Sequence, residues 1–335
     1  MAQNEAAEVK EQPENDQDKH ATNVKGAFKR APTAFHDKIT AEESKYTAEK
    51  DRYHLYYSSA CPWCHRVLAM IALKGLEEVI SSSDVDPLIT DFGTADYKSW
   101  RFNEKYPDPL HKDSLSVLDI YRIHDKDYPN QKLTVPILFD KKTEKIVNNE
   151  SAEIIAFLNN AFNKFAKKPE LDLNPDDEKT QSNMTKWNDI VYPGLNDGVY
   201  RCGFAKSQEA YDDSFEKIFN TLDQMEQQLT KNRYLCGDKL TLTDVRAWVT
   251  LIRFDVIYFT HFKCNKKLIN KDYPNIWGYT REILQMDGIA ATWKLQYTKT
   301  HYYGSHKMVN PRGIIPKGPE INFDEPHGRD KQEYK

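Results

Sequence analysis

The sequence lacks a long hydrophobic run. None of its apolar stretches approaches the roughly 18–20 residues that a helix needs to cross a bilayer. The first residues carry Glu5, Glu8, Glu11, Glu14 and Asp16 without an apolar core, unlike a secretory or mitochondrial targeting segment, and the last three residues are not a peroxisomal signal. We therefore expect a cytoplasmic protein with no membrane partner.

Cysteine is scarce, and no charge of one sign dominates. Five cysteines in 335 residues, an odd and sparse set, exclude a disulfide framework. The formal net charge is only −4 with acids and bases intermixed, which argues against a nucleic-acid surface. Zinc needs four ligands, and the one close pair, Cys61 and Cys64, has no second Cys/His cluster of matching spacing. We expect no metal cofactor.

The chain is longer than one core usually serves, so its length predicts two domains. Polar residues and prolines at positions 169 and 175 indicate a linker, after which the apolar pattern is helical throughout. The predicted class is α/β plus all-α. The predicted segments are a disordered tail over 1–24, a thioredoxin-like domain with an N-terminal arm over 25–164, a linker over 165–180, a helical domain with a C-terminal segment over 181–320, and a polar tail over 321–335.

The first half has the element order of a thioredoxin-type domain. Tyr53–Tyr57 reads as a strand, and the residues after Cys61 recur at helical spacing up to Gly75, a plausible helix stop. A second strand at Val79–Ser83, a hairpin of Leu133–Phe139 with Lys145–Val147, and a helix led by Asn149–Ser151 complete the order βαβ-ββα. In the second half, Phe215–Leu229 follows a 3.6 period, Thr241 and Asp244 have the spacing of a capped helix start, and 301–319 reads as turn-rich coil.

The strongest chemical signal is Cys61–Pro62–Trp63–Cys64, between a strand and a helix. A cysteine at a helix N-terminus has its thiolate stabilised by unpaired backbone N–H groups, so its pKa falls. Only the thiolate attacks sulfur. We therefore predict that Cys61 is a thiol-transfer or redox nucleophile. A chance pair of structural cysteines is the alternative. Cys64, one turn into the helix, either resolves a mixed disulfide or is simply packed.

Two further signals follow. In thiol-transfer folds, the residue before a cis-proline turns its backbone toward the active sulfur, and Val135–Pro136 fits that place, where a peptide-like substrate such as glutathione could pair as an added strand. Pro136 could equally mark an edge strand. Glu150 and Ser151 stand at a helix start that would suit a γ-glutamyl residue, although a plain helix cap explains them as well.

These signals in this order resemble the glutathione transferase superfamily, and most closely its xi class, the S-glutathionyl-(chloro)hydroquinone reductases, which are related to the omega class. The resemblance spans roughly residues 25 to 320. The matching segments are 26–30, 61–63 with 65–66, 73–76, 100–102, 134–136, 146–151, 196–200 with 203–205, 252–255, 261–265, 301–306 and 310–311.

The resemblance implies a thioredoxin-like domain followed by an all-helical glutathione-transferase C-terminal domain. Cys61 matches the family's catalytic cysteine, and Tyr200 with either Tyr302 or Tyr303 matches tyrosines that line the acceptor pocket. Trp100, Val135, Pro136, Glu150 and Ser151 fall where the family holds glutathione. The implied partners are glutathione and glutathionylated aromatic or disulfide substrates, and the implied assembly is a homodimer with a C-terminal segment over the pocket.

The sequence departs from the family at two points. Cys64 replaces a common alanine, which creates a glutaredoxin-like dithiol, and Leu118 or a neighbour stands where many members have an arginine for glutathione, with Arg122 close by. The resemblance therefore predicts reduction of S-glutathionyl-hydroquinones through a mixed disulfide of Cys61 with glutathione. The alternatives are a glutaredoxin-like thioltransferase or dehydroascorbate reductase and, ranked lower, a non-catalytic binding or redox-sensing protein.

Overall fold

A computed structural model describes residues 26–30, 32–91, 98–129, 133–331 and 334. The predicted 1–24 tail lies outside the described residues. A four-stranded sheet has the order β2-β1-β5-β6, with β1 (Tyr53–Tyr57), β2 (Ser81–Asp84), β5 (Ile137–Asp140) and β6 (Lys145–Asn148). A short antiparallel pair, β3 (Thr90–Asp91) and β4 (Lys98–Ser99), lies apart from it.

β1 and β2 are parallel, whereas β1–β5 and β5–β6 are antiparallel. Because successive strand residues point to opposite faces, the sheet divides the core in two. Leu55, Leu138 and Val147 join the larger cluster, which continues into the helical half, while Tyr56 and Phe139 join a smaller cluster on the other face. The mixed sheet therefore has buried residues on both faces, as a thioredoxin-like domain requires.

Three helices accompany the sheet: α1 (Pro62–Lys74), α2 (Val117–His124) and α3 (Ser151–Leu158). Gly75 ends α1 with φ 67°, the left-handed conformation that favours glycine, as its position predicted. The element order predicted from the sequence has no helix between the second strand and the hairpin. α2 lies there and begins with a capping box at Ser116 and Asp119. The hairpin was predicted correctly, although β5 begins only at Ile137. β2 begins two residues and ends one residue later than expected.

The second half is helical. Its helices are α4 (Glu178–Val191), α5 (Gly198–Gly203), α6 (Gln208–Leu229), α7 (Leu242–Arg253), α8 (Phe259–His261), α9 (Ile269–Asp272), α10 (Pro274–Leu284) and α11 (Leu295–Ser305), with π-helical turns at Tyr192–Asn196 and Phe254–Tyr258 and 3₁₀ turns at Ala290–Thr292 and Arg329–Lys331. The predicted start of α7 is confirmed, since the Asp244 carboxylate accepts the backbone N–H of Thr241 at 2.8 Å. No helix in the described ranges is both long and apolar enough to cross a bilayer.

The residues before β1 form an arm that crosses both halves. The backbone oxygen of Gly26 accepts the N–H of Lys206, and the Phe28 ring lies 5.5 Å from that of Phe204. Farther along, the Phe35 carbonyl accepts the N–H of Asn149, and residue 36 forms an antiparallel bridge with residue 148 at the end of β6. The arm therefore passes from α5 to the edge of the sheet.

Three expectations about segments differ from the structure. Residues 301–305, expected as coil, are the last turns of α11, because Tyr297, His301 and Tyr302 are buried and packing outweighs their modest helix propensity. α4 begins at Glu178, within the range 165–180 that was predicted as a linker. The predicted polar tail packs on the body as far as Arg329, whose guanidinium Nε donates to the Glu282 carboxylate at 2.6 Å. The exact domain limits stay predictions.

Candidate active site

A cavity of about 790 Å³ lies between the sheet domain and the helical half. Its walls come from the arm, the N-termini of α1 and α3, the chain around residues 89 and 100, and the loop before β5. The helical half adds α4 with the π turn that follows it, α5, α7 and α11. Of the predicted site residues, the ones that line it are Cys61, Trp100, Val135, Pro136, Glu150, Ser151, Tyr200 and Tyr302. A volume of this size accommodates a tripeptide with an attached aromatic ring.

Cys61 is the N-cap of α1 and is partly exposed to the cavity. Burial by itself raises the pKa of its thiol. Hydrogen bonds from the Cys64 side chain and from the backbone of Cys64 and Trp63, together with the positive charge of Arg253, outweigh that effect and lower the pKa to about 7. Pro62 at the first helical position leaves no N–H to compete there. Cys61 therefore carries a substantial thiolate fraction at neutral pH.

Cys64 has the opposite environment. It is fully buried, does not line the cavity, and its Sγ accepts the backbone N–H of Ser58 at 3.5 Å. Burial and the hydrogen bond with Cys61 raise the pKa of the Cys64 thiol. The two cysteines of the motif are therefore unlike: one is poised to ionise and the other is held neutral.

The peptide bond between Val135 and Pro136 is cis, and the Val135 carbonyl oxygen lies 3.8 Å from the Cys61 Sγ. The alternative of an edge strand is wrong, because β5 pairs on both sides. Tyr121 of α2 fixes this loop, since its hydroxyl donates to the Thr134 carbonyl at 3.0 Å and accepts the Thr134 N–H at 3.2 Å. The backbone beside the sulfur is thereby held in place.

Glu150 and Ser151 begin α3 on the cavity wall. The Glu150 carboxylate accepts the backbone N–H of Ala152 at 3.1 Å and the hydroxyl of Thr33 in the arm at 3.2 Å. The Ser151 hydroxyl accepts Nη1 of Arg66 at 3.4 Å. The helix cap that the pattern allowed is present, and the same groups also face the cavity.

Three arginines line this part of the cavity: Arg30, Arg66 and Arg246. Each has a buried guanidinium nitrogen, namely Nη2, Nε and Nε respectively, that has no hydrogen-bond partner among the described residues. Burial lowers the pKa of Arg66 to about 9 and also lowers that of Arg246. In the part of the chain that the structure describes, only Arg30 of these three meets a carboxylate, that of Asp197, at 3.1 Å. Unpaired buried N–H groups on cations suit an anionic ligand.

The opposite wall is aromatic. The hydroxyls of Tyr200 and Tyr302 are 2.6 Å apart, and the Tyr258 hydroxyl lies 3.0 Å from that of Tyr302. Burial raises the pKa of all three phenols, so they are neutral donors at physiological pH. Trp100 stacks on the His301 ring at 4.7 Å. Burial lowers the pKa of His301 to about 4, so this ring is neutral as well.

Several candidate residues lie elsewhere. Tyr303 does not line the cavity and packs its ring on that of His261 at 4.6 Å, so between the adjacent tyrosines Tyr302 faces the site. Neither Leu118, at the position of the family arginine, nor Arg122 lines the cavity. Among the residues that the structure describes, no group of three or more His, Cys, Asp or Glu side chains could hold a metal ion.

Sequence reasoning missed the cavity-lining residues Arg30, Arg246, Tyr192, His301 and His306. Isolated arginines read as solvated surface residues in a pattern analysis, and nothing local marks them otherwise. Residues 26–30 contribute only to the family resemblance. Its distance in sequence from the Cys61 motif gives no sign that the arm crosses the cavity.

The chain matches two family models: "Glutathione S-transferase, N-terminal domain" over residues 60–161 and "Glutathione S-transferase, C-terminal domain" over residues 208–282. It is 45% identical over 316 residues to the glutathionyl-hydroquinone reductase YqjG of Escherichia coli, which covers 91% of this chain and 93% of that protein. It is 44% identical to the glutathionyl-hydroquinone reductase PcpF of Sphingobium chlorophenolicum, covering 80% and 83%. The chain belongs to the glutathione transferase family.

Solved structures agree with this assignment. The glutathione-bound structure of YqjG superposes with a TM-score of 0.82 at 45% identity, covering 89% of this chain and 96% of that one. The xi glutathione transferase of Phanerochaete chrysosporium gives a TM-score of 0.81 at 39% identity, covering 91% and 95%. The predicted fold class and the predicted resemblance to the xi class are therefore confirmed.

Proposed function

We propose that the chain is an enzyme that reduces S-glutathionyl-hydroquinones, with Cys61 as nucleophile and glutathione as reductant. The observation that carries this proposal is the cavity itself, in which a cysteine of lowered pKa faces a pair of neutral phenols. The names of the relatives that are 44% and 45% identical support the same reaction.

Glutathione would lie along the Cys61 side of the cavity. Val135 before the cis-proline offers its backbone to the peptide, as an added strand. Glu150 would receive the α-ammonium, and Ser151 with Arg66 would receive a carboxylate at the N-terminus of α3. The unpaired nitrogens of Arg30 and Arg246 give further donors for carboxylates. Trp100 would pack against the glutathionyl chain.

In the first step, the Cys61 thiolate attacks the glutathionyl sulfur that is bonded to the aromatic ring. A disulfide forms between Cys61 and glutathione, the bond between sulfur and ring carbon breaks, and its electron pair stays with the ring. The sulfur-bearing carbon has already taken a proton in the keto tautomer of the ring, in which a ring hydroxyl has given up its own. The electron pair therefore passes to that ring oxygen, which takes up a proton from solvent as the free hydroquinone leaves. Each phenol has a single O–H, so Tyr302 would accept the hydrogen bonds of Tyr200 and Tyr258 and donate its own to a ring oxygen, on which negative charge accumulates in the transition state.

In the second step, a glutathione thiolate attacks the mixed disulfide. Oxidised glutathione leaves and the Cys61 thiolate is regenerated, so two glutathionyl sulfurs are oxidised for each ring carbon reduced. We assign this step to a second glutathione rather than to Cys64, because Cys64 is fully buried and its pKa is raised. A thiol of raised pKa is a small source of thiolate at pH 7.

A glutaredoxin-like thioltransferase is the second candidate, favoured by the dithiol of Cys61 and Cys64. Both reactions pass through the same mixed disulfide and differ in the leaving group. A thiolate leaving group needs no phenol donors, whereas an aromatic carbon does. The tyrosine wall therefore favours the hydroquinone substrate.

The test compares wild type, Cys61→Ser and Cys64→Ser with excess glutathione. Substrates are the glutathione adduct of 1,4-benzohydroquinone and a small glutathione mixed disulfide, and released hydroquinone is followed by chromatography. We expect wild type to release hydroquinone faster than it reduces the disulfide, Cys61→Ser to release none above background, and Cys64→Ser to stay within about twofold of wild type. Full activity in Cys61→Ser, or no turnover of either substrate by wild type, would refute the proposal.

We also propose a cytoplasmic homodimer that binds neither membranes nor nucleic acid and needs no metal, on the grounds given by composition and resemblance. Light scattering after size-exclusion chromatography measures the mass directly. A single 39.1 kDa species at micromolar concentration would contradict the dimer.

A further inference from the structure

A buried cation joins the two halves of the molecule behind the nucleophile. Arg253, the last residue of α7, has no exposed side-chain surface. Its Nη2 donates to the Ser59 carbonyl and its Nε to the Ala60 carbonyl, both at 3.0 Å. A third bond runs from Nη1 to the carbonyl of Val249 at 2.7 Å. The guanidinium is therefore hydrogen-bonded to the backbone of the two residues that directly precede Cys61.

The contacts of Arg253 do not neutralise its charge. Nη1 lies 2.8 Å from Nδ1 of His65, which must accept because a guanidinium only donates, so the ring proton sits on Nε2 and is donated to Thr292 at 2.8 Å. Burial, reinforced by the neighbouring Arg253 charge, keeps the pKa of His65 well below its usual value, so this ring is uncharged. Within the described ranges, no carboxylate comes within 4.0 Å of the Arg253 guanidinium.

A buried cation without a counterion favours any anion that can form close to it. Cys61 follows Ala60 directly and stands at the N-cap of α1, so its thiolate is such an anion. The loop has no freedom to turn away, because Ser59 is also held from the other side, with its backbone N–H donated to the Asp84 carboxylate at 2.9 Å. Charge and geometry thus act on the same loop.

We propose that Arg253 is a positioning residue that stabilises the Cys61 thiolate from the helical half of the molecule. Reactivity of the nucleophile then depends on the docking of α7 against the loop before α1. The inference rests on the proposed role of Cys61 as nucleophile and adds a determinant that lies outside the cavity lining.

One carboxylate lies beside this loop, that of Asp84, and it is paired with Lys294 at 3.2 Å. The other titratable groups around Cys61 and Arg253 are mostly neutral. Those facing Cys61 are Cys64 and Arg66 of α1, Tyr200 of α5 and Tyr258 of the second π turn, and those facing Arg253 are His65 of α1, Tyr258, and His301 and Tyr302 of α11. Arg66 is the other cation in this set. It is engaged by Ser151 and by the amide oxygen of Asn196 at 3.0 Å, so the two cations are separable by mutation.

The test measures the rate of Cys61 alkylation by iodoacetamide against pH, with the modified residue identified by mass spectrometry. We expect Arg253→Gln to raise the midpoint of this rate–pH profile by about one pH unit. Arg253→Lys keeps the charge, so its midpoint should stay near that of wild type. At pH 6 the glutamine variant should react about three- to fourfold more slowly, because a tenfold smaller thiolate fraction is partly offset by a more nucleophilic sulfur. Arg281→Gln, which removes another buried arginine bonded to Glu325, is the matched control and should not move the midpoint.

An unchanged midpoint in folded Arg253→Gln would overturn the proposal, and so would an equal shift in the glutamine and lysine variants. Circular dichroism and thermal melting establish folding. Arg253→Met, whose unbranched side chain can occupy the same channel, replaces the glutamine variant if that one does not fold. Alkylation needs no acceptor substrate, so the result stands apart from any failure of the hydroquinone assay.

Discussion

Replacing Tyr302 by Phe deletes the central hydroxyl of the phenol wall and leaves the ring in place. In the proposed mechanism, that hydroxyl serves a ring oxygen that gains negative charge as the carbon–sulfur bond breaks. A hydrogen bond to a charged group is worth about 1.5–3 kcal/mol, so its loss lowers kcat/KM for a glutathionyl-hydroquinone by about 10- to 150-fold. Because the Tyr200 and Tyr258 hydroxyls, at 2.6 and 3.0 Å, also lose a partner, we expect a stability cost of about 1–3 kcal/mol.

The assay separates chemistry from damage to the fold. A glutathione mixed disulfide has no ring oxygens, so Tyr302→Phe should reduce it at close to the wild-type rate. Tyr303→Phe is the matched control, since the neighbouring ring is buried but does not line the cavity, and both activities should persist. An equal loss with the two substrates, or an equal loss in Tyr303→Phe, would refute the reasoning.

Two further predictions concern pH and stability. Because the thiolate is the reacting form and the pKa of Cys61 is lowered to about 7, the alkylation rate of wild type should rise with pH and reach half its plateau near pH 7; a midpoint near 8.5, the value of a free thiol, would contradict this. Arg52 holds the fully buried Asp140 through bonds of 2.9 and 2.7 Å, so Arg52→Met should lower the free energy of unfolding by about 3–5 kcal/mol in urea titrations. Lys45→Ala, which breaks an exposed pair with Asp37, should cost less than about 1 kcal/mol, and similar losses in both variants would show the first estimate to be wrong.

The parts of the fold that the sequence made predictable are those with a local signal. The strand before Cys61, the helix that ends at Gly75 and the capped start of α7 each depend on residues within a few positions of one another. α2 escaped detection because its β-branched and aromatic residues favour strands as readily as a helix, and the Ser116 cap decides the outcome. The last turns of α11 are set by burial, which a local pattern does not contain.

The same distinction between local and non-local signals applies to the residues of the candidate site. Cys61 and Glu150 could be placed because each begins a helix, and helix starts are visible in sequence. Tyr302 could not be told from Tyr303, since neighbouring residues of a helix point about 100° apart and the partner surface decides which one faces the cavity. Arg253 contacts His65 and Ser59, which precede it by 188 and 194 positions in the sequence. Contacts between residues so far apart leave no trace in composition or periodicity.

The arm before β1 also protects a sheet margin. β6 is the last strand in the order β2-β1-β5-β6, and such a strand offers unpaired backbone groups to other chains. Residues 35 and 36 occupy that position at the end of β6, where the Phe35 carbonyl accepts the Asn149 N–H. Deleting the arm through Ile39 would therefore do more than open the active-site cavity. It would also expose the edge of β6, at which molecules can associate strand to strand. Expression variants should keep the chain from Gly26 onward.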